Sequence, residues 1–339
     1  MEKLDKGPFV IADVSSNHRG SLDLALEHVT AAKKAGASAV KFQLYRHEDL
    51  YGVPAPEGHE RTYEMNPEWL YPLKQKCDET GIEFMVTPFS PGAVTLVNNF
   101  VRIHKLASSE MKHVQMLDAL KATGKPIIVS TGGAHFSEIW NEEQNPVTRE
   151  FKWCLLRHLA GCKVTLLECV ANYPAEPQDY NLTAMNSWRK HGVEVGISDH
   201  TVGNVIAAQA ARVGATVFEK HFDCALGDKE ETPDSMVSAS RSELKAYIEM
   251  IHRHMRLPRD LQKRPEFQDQ MALKWRRKLK VTKDLKAGDT LKMNENFGIY
   301  RSLEDDGHAG PPEAWPFFEG KRVKKDMKPQ DGLWTTDVE

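Results

Sequence analysis

No stretch of the chain approaches the roughly 20 consecutive apolar residues that a bilayer-spanning helix needs. The opening Met1-Glu2-Lys3-Leu4-Asp5-Lys6 leads into a strand-like run too short for a signal-peptide core, so the expected location is the cytoplasm. Cysteine is scarce: Cys77, Cys154, Cys162, Cys169 and Cys224 are odd in number and contain no C-x-x-C pair. That pattern argues against a disulfide framework or a zinc knuckle and leaves all five to be read as structural thiols. An excess of one charge is also missing, since 45 Lys+Arg stand against 48 Asp+Glu, and nothing in that balance demands nucleic acid or a membrane surface as partner. The segment Asn17-His18-Arg19-Gly20 after the first apolar run is not a glycine-rich phosphate loop, which counts against a doubly wound dinucleotide fold.

What is present is a recurring junction: an amphipathic segment, a glycine, then a β-branched run. It occurs at Gly36 before Ala37 to Phe42, at Gly81 before Ile82 to Val86, at Gly124 before Ile127 to Val129, at Gly192 before Val193 to Ile197 and at Gly214 before Ala215 to Phe218. Each glycine is suited to end a helix in the left-handed conformation. Leu22, Leu26, Val29 and Ala32 or Lys33 follow helical spacing, and Ser21 is placed to cap that helix. With Phe9 to Ser15, Val101 to Ser108 and Val164 to Val170, eight strands alternate with helices, and Ser242 to Met255 supplies a final helix. This order predicts a (β/α)₈ TIM barrel over residues 1–256.

Beyond Met255 the period stops, and the charged, proline-bearing residues 257–271 read as a linker. In residues 272–339, Val281-Thr282-Lys283-Asp284-Leu285-Lys286-Ala287-Gly288-Asp289-Thr290-Leu291 returns as Val323-Lys324-Lys325-Asp326-Met327-Lys328-Pro329-Gln330-Asp331-Gly332-Leu333. Two copies of one strand-turn-strand unit predict a small β-rich domain of pseudo-twofold build.

Polar residues gather where the strands should end, at the catalytic face of such a barrel. Asp13 and Asn17 follow the first strand, Lys41 and Gln43 the second, Thr87 the third, Lys105, Ser108 and Glu110 the fourth and Ser130 to Gly133 the fifth. Tyr173 follows the sixth, Ser198 and His200 the seventh, and Glu219 and His221 the eighth. Side chains alternate along a strand, so Lys41 with Gln43, Ser198 with His200, and Glu219 with His221 share inward directions. Two neutral imidazoles suit a divalent metal that keeps open positions, while Lys41 and Lys105 suit a phosphate and a carboxylate. A lone strand-end histidine or lysine is more often structural or solvated; their joint placement carries the reading.

The segments Val10-Ile11-Ala12-Asp13, Val40-Lys41-Phe42-Gln43, Lys105-Leu106-Ala107-Ser108-Ser109-Glu110, Asn172-Tyr173-Pro174, Gly196-Ile197-Ser198-Asp199-His200-Thr201-Val202-Gly203 and Glu219-Lys220-His221-Phe222 resemble, in order, the motifs of the sialic acid synthase (N-acetylneuraminate synthase) family. The tail from about Leu273 resembles that family's C-terminal antifreeze-like domain. The resemblance implies condensation of phosphoenolpyruvate (PEP) with an acylamino-sugar aldehyde, dependent on Mn²⁺ or Mg²⁺ held by His200 and His221. It assigns Lys41, Thr87, Lys105, Ser108 and Ser198 to PEP, Gln43, Glu110, Tyr173 and Asp234 to the sugar, and Asp13 to the water or its proton. It also implies a domain-swapped homodimer in which the partner's copy of Arg301 closes the sugar site.

Departures from the family pattern are Asp13 in place of glutamate, Ser109 in place of glycine, Glu168 in place of histidine and Ala171 in place of a polar residue. The Tyr51 to Thr62 loop lacks an asparagine expected near the sugar. The PEP contacts survive better than the sugar contacts, so the expectation is a retained reaction with an altered acceptor. Two alternatives stay open: a Schiff-base aldolase using Lys41, Lys105 or Lys220, and a non-catalytic sugar-binding relative.

Overall fold

The computed structural model describes residues 7–56, 63–143, 153–228, 231–257, 275–302 and 309–339. It divides into two compact units, Met1–Arg259 and Asp260–Glu339. Apart from Leu257, the linker expected at 257–271 lies outside the described residues.

In the first unit eight parallel strands alternate with helices: β1 (Phe9–Ser15), β2 (Ala39–Leu44), β3 (Glu83–Pro88), β4 (His104–Leu106), β5 (Ile127–Ser130), β6 (Val164–Cys169), β7 (Glu194–Asp199) and β8 (Val217–His221). Their lateral order, β3-β2-β1-β8-β7-β6-β5-β4, brings the first strand against the last and leaves β3 beside β4 at the seam. That order is the barrel and excludes the doubly wound sheet, whose chain reverses direction across an open edge. The principal helices are α1 (Leu22–Ala35), α2 (Leu70–Thr80), α3 (Pro91–Val97), α4 (Val114–Ala122), α5 (Leu155–His158), α6 (Ala184–Lys190), α7 (Val205–Val213) and α8 (Arg241–Met255).

Helix α1 begins where Ser21 accepts a hydrogen bond from the Leu24 N–H, and it ends at Gly36, whose φ of 97° would strain any residue with a Cβ. Its buried face is Ala25, His28, Val29, Ala31 and Ala32, and the expected Leu22 and Leu26 are partly buried and pack against the same core. The polar member of that face is His28, whose Nε2 lies 3.4 Å from Asp223 Oδ1. Helix α8 starts from a reciprocal cap between Ser240 and Glu243 and buries Leu244, Tyr247, Ile248 and Ile251.

Alternation along the strands separates two apolar regions. Val10, Ala12, Val14, Val40 and Phe42 point out to the helices in the main core, whereas Ile11, Ala39, Met85, Ile128, Leu167 and Val217 form a second cluster, with Ile103 packed against it. That inner cluster plugs the barrel from below.

The second unit has its own core, which includes Leu279, Val281, Leu285, Leu291, Phe297, Val323, Met327 and Leu333. Strand β9 (Lys278–Val281) pairs antiparallel with β10 (Phe297–Tyr300). The sequence repeat is symmetric in hydrogen bonding: Leu285 and Met327 exchange both backbone bonds, Gly288 N–H donates to Val323 C=O as Gln330 N–H donates to Val281 C=O, and Lys286 and Lys328 N–H donate to Asp289 and Asp331. The predicted pseudo-twofold build is therefore present residue for residue.

Candidate functional site

Two residues above each member of the inner plug the same strand carries a polar side chain. Ile11 is followed by Asp13, Ala39 by Lys41, Met85 by Thr87, Ile103 by Lys105, Ile128 by Ser130, Leu167 by Cys169, and Val217 by Glu219. On β7 the plug position is Gly196, where a Cβ would meet the Val217 carbonyl oxygen at 2.2 Å, and Ser198 stands above it. A period of two thus converts an apolar floor into a polar layer in one step up the barrel.

This layer is the base of a cleft of about 470 Å³. Eleven of the thirteen site residues expected from sequence line it: Asp13, Lys41, Gln43, Thr87, Lys105, Ser108, Tyr173, Ser198, His200, His221 and Asp234. Glu110 does not; it lies half-buried beside the fourth strand, its carboxylate 3.0 Å from His113 Nδ1, which draws it off the mouth. Arg301 is an exposed residue of the second unit. Asn17 is buried, but its amide ties the β1 loop to the Phe222 carbonyl and to Ser238, so its part is structural.

The floor is a charge network. Lys41 Nζ lies 2.8 Å from Asp13 Oδ2 and 3.8 Å from Glu219, and donates to Thr87 Oγ1 at 2.9 Å. Lys105 Nζ donates to Ser130 Oγ at 2.7 Å and to the Leu106 carbonyl at 3.1 Å, 3.5 Å from Glu219 Oε1. Glu219 in turn accepts from Ser198 Oγ at 3.0 Å. Burial works against the charges of Lys41, Lys105 and Glu219, and for Lys41 it is outweighed by Asp13 and then Glu219, which raise its pKa. For Lys105 burial prevails over Glu219 and lowers it. Burial would raise Glu219, but Lys105, Lys41 and the Ser198 hydrogen bond together hold it below the usual carboxylate range.

Above the floor, both imidazoles present Nε2 to one point. Tyr173 Oη sits 3.1 Å from His200 Nε2 and 3.3 Å from His221 Nε2, and its ring stacks on His200 at 4.3 Å between centroids. His200 Nδ1 donates to the Val170 carbonyl at 2.7 Å, which fixes the tautomer that leaves Nε2 a lone pair. Burial, followed by the charge of His221, lowers the His200 pKa to about 3. His221 Nδ1 faces Asp13 Oδ2 at 3.8 Å and has no hydrogen-bond partner. Among the described residues no group of three or more His, Cys, Asp or Glu side chains comes together as a cation site. Two Nε2 atoms facing one point are a donor pair that would suit a divalent ion with its other positions open.

Three features were missed or under-read from sequence. Glu219 was seen to point inward yet was given no role, although it couples both lysines. Cys169, expected to be structural, lines the cleft 3.7 Å from Ser108 Oγ, with burial pushing its thiol up to about 11. The outer wall, with Tyr45, Tyr63, Glu64 and Phe89, comes from loops after β2 and β3 that have no strand period to reveal their direction. Lys220, a candidate nucleophile from sequence, is not at the cleft: it points from the outer face of β8 toward the Tyr247 ring, 6.0 Å away.

Buried neutral histidines also set an acid limit. Burial lowers His18 and His104 to about 4 and His200 to about 3, each from 6.5, so the unfolded chain binds more protons and stability falls as pH drops below 6.5. Glu168 runs the other way, because burial raises it to about 7 and favours the folded state at lower pH. Three groups against one leave a net proton uptake on unfolding of about two between pH 6.5 and 4.5. The urea midpoint of the barrel is expected to fall steadily from pH 7 to pH 5; a flat profile would show that these histidines are charged in the native state.

Comparison with known proteins agrees with this geometry. A model described as "NeuB family" matches residues 28–262. The chain is 30% identical to a pseudaminic acid synthase of Campylobacter jejuni over 99% of this chain and 98% of that one. It is 34% identical to an N,N'-diacetyllegionaminic acid synthase of Legionella pneumophila over 72% of this chain and 71% of that one. A crystal structure of an N-acetylneuraminic acid (sialic acid) synthetase from Leptospira borgpetersenii superposes with a TM-score of 0.67 at 26% identity, covering 80% of this chain and 91% of that one. With its eight-stranded barrel and the motifs it places around one cleft, this chain is an enzyme and belongs to the NeuB family, the sialic acid synthase family.

Proposed function

We propose that the enzyme condenses PEP with an aldehyde-bearing acylamino sugar to give a nonulosonic acid and phosphate, with Mn²⁺ or Mg²⁺ between His200 and His221. The observation that carries this reading is the convergence of both Nε2 atoms on one point above a floor that holds two buried lysines. Relatives that are named synthases of pseudaminic and legionaminic acids support the product class.

In this reading Lys41 and Lys105 receive the phosphate and carboxylate of PEP, with Thr87, Ser108 and Ser198 as hydrogen-bonding partners. The bound divalent ion supplies electrophilic polarisation of the sugar carbonyl. PEP C3 then bonds to the carbonyl carbon as the C2–C3 double bond opens; water adds at C2 and one of its protons passes to the new alkoxide, while the other leaves with phosphate as the C–O bond breaks and C2 becomes the keto carbon. Asp13, 2.8 Å from Lys41 and facing His221, takes the proton that water loses. Gln43, Tyr173 and Asp234 face the sugar, and Asp234 is held there by Ser16 Oγ at 2.8 Å. Residues 272–339 are proposed as the antifreeze-like domain of a swapped homodimer, whose Arg301 would close the partner's sugar site.

Purified protein with Mn²⁺, PEP and a panel of aldoses and acylamino sugars is expected to release phosphate from PEP only with an acceptor, and EDTA is expected to stop it. No release with any acceptor refutes the proposal. One observation favours the aldolase reading: burial lowers the Lys105 pKa, as an imine-forming amine requires. Borohydride trapping of a pyruvate adduct on Lys105, with activity that survives EDTA, would establish that reading instead.

A further inference from the structure

Lys220 is a buried cation outside the cleft. Its side chain is 3% exposed, and it lies on the opposite face of β8 from Glu219 and His221, so it cannot touch a substrate in the barrel mouth. Burying an ammonium costs several kcal/mol unless its partners repay it. Tyr247 and Glu243 of α8 face it from one side, but its hydrogen bonds go to the short segment that carries His200. Lys220 Nζ donates to the Thr201 carbonyl and, at 3.4 Å, to the Asp199 carbonyl, with Asp199 Oδ1 3.7 Å away. The same Asp199 oxygen accepts from the Thr201 N–H at 2.9 Å and from Thr201 Oγ1 at 2.7 Å.

On the β8 side the ladder ends at Asp199 and Lys220, so His200 is the first residue beyond it, while on the β6 side Ala175 forms a single bridge to Thr201. Tyr180 Oη donates to the Ser198 carbonyl at 3.0 Å and accepts the His200 N–H at 2.9 Å. The His200 N–H is therefore held by a phenol and its carbonyl by the Ala175 N–H, while the carbonyls on either side of it, of Asp199 and Thr201, are held by the ammonium. The imidazole must keep Nδ1 on the Val170 carbonyl and Nε2 on the point shared with His221, and a turn of the backbone would break both alignments at once.

We propose that Lys220 is a positioning residue for His200: it clamps the Asp199 to Thr201 turn from outside the barrel and thereby fixes the imidazole that the synthase reading assigns to the divalent ion. The inference rests on that reading for its consequence in metal affinity and on geometry alone for its consequence in ring orientation.

The test uses the full-length protein and two readouts. Mn²⁺ binding by calorimetry is expected to weaken about tenfold or more in Lys220→Met, in line with the loss of an outer-shell partner. In metal-free protein the Nδ1–H proton of His200, bonded to the Val170 carbonyl, is expected as a slowly exchanging resonance in the wild type that is lost or broadened in Lys220→Met. Tyr180→Phe is expected to shift both readouts in the same direction. Because Lys220→Met strands the Asp199 carboxylate, Lys220→Met with Asp199→Asn is the variant to use where the single one does not fold. A folded variant with unchanged resonance and Mn²⁺ affinity within about twofold of the wild type overturns the inference, as such values lie far below the outer-shell range. Should the wild type bind no Mn²⁺ while the resonance still disappears on Lys220→Met, the clamp stands and the metal reading falls.

Discussion

Replacing His200 or His221 by alanine is expected to lower kcat/KM for PEP-derived phosphate release by about a thousandfold or more. Electrophilic stabilisation by a bound ion is worth several kcal/mol, and about 4 kcal/mol corresponds to three decades in rate. On the proposed reading there are only two protein ligands and no redundancy, so either deletion should weaken Mn²⁺ binding, which calorimetry reads directly. Neither change removes a charged partner from the lysines on the floor, so PEP should still bind to the variants. The non-catalytic alternative gives a different result: a sugar-binding relative would keep its sugar affinity in His200→Ala. A variant that retains wild-type rate and metal affinity would remove the pair of imidazoles from the mechanism.

The second large effect is on folding. Lys41→Met removes the cation that Asp13 and Glu219 share at 2.8 and 3.8 Å, within a layer where all three are almost completely buried. Removing one partner of a buried ion pair costs about 3–5 kcal/mol, because the remaining charge has no water to return to. A large drop in urea midpoint is expected, together with loss of PEP binding. Neutralising the nearer stranded carboxylate, as in Lys41→Met with Asp13→Asn, should restore much of the stability and none of the PEP affinity, since Glu219 keeps Lys105 as a partner. If Lys41→Met unfolds no more easily than the wild type, the carboxylates must find another partner, and Glu219 would no longer be the hub of the floor.

This network of buried charges was only partly legible in the sequence. Strand parity marked Lys41, Ser198 and Glu219 as inward-facing, and each does face the cleft. Parity does not say how far two inward side chains are from one another. Lys41 and Lys105 read as free cations waiting for an anion, whereas in the fold each is near a carboxylate: Lys41 near Asp13 and Glu219, Lys105 near Glu219. PEP must therefore compete with, or rearrange, an existing network. Glu110 shows the opposite error, because the residues after β4 form a short helical turn (Ser108–Glu110) that breaks the period of two and turns its carboxylate to His113.

The sequence by itself determined the order of elements, the direction of each strand's side chains and the internal repeat of the C-terminal unit, because periodicity, helix-ending glycines and duplicated spacing are local properties of the chain. Only the tertiary structure decided which polar groups meet: that Tyr173 bridges the two histidines, that Glu219 couples two lysines, that Cys169 lines the cleft and that Lys220 grips the His200 turn from outside. Those pairings join residues tens to hundreds of positions apart, and their distances follow from the barrel's closure and register, which no local pattern encodes.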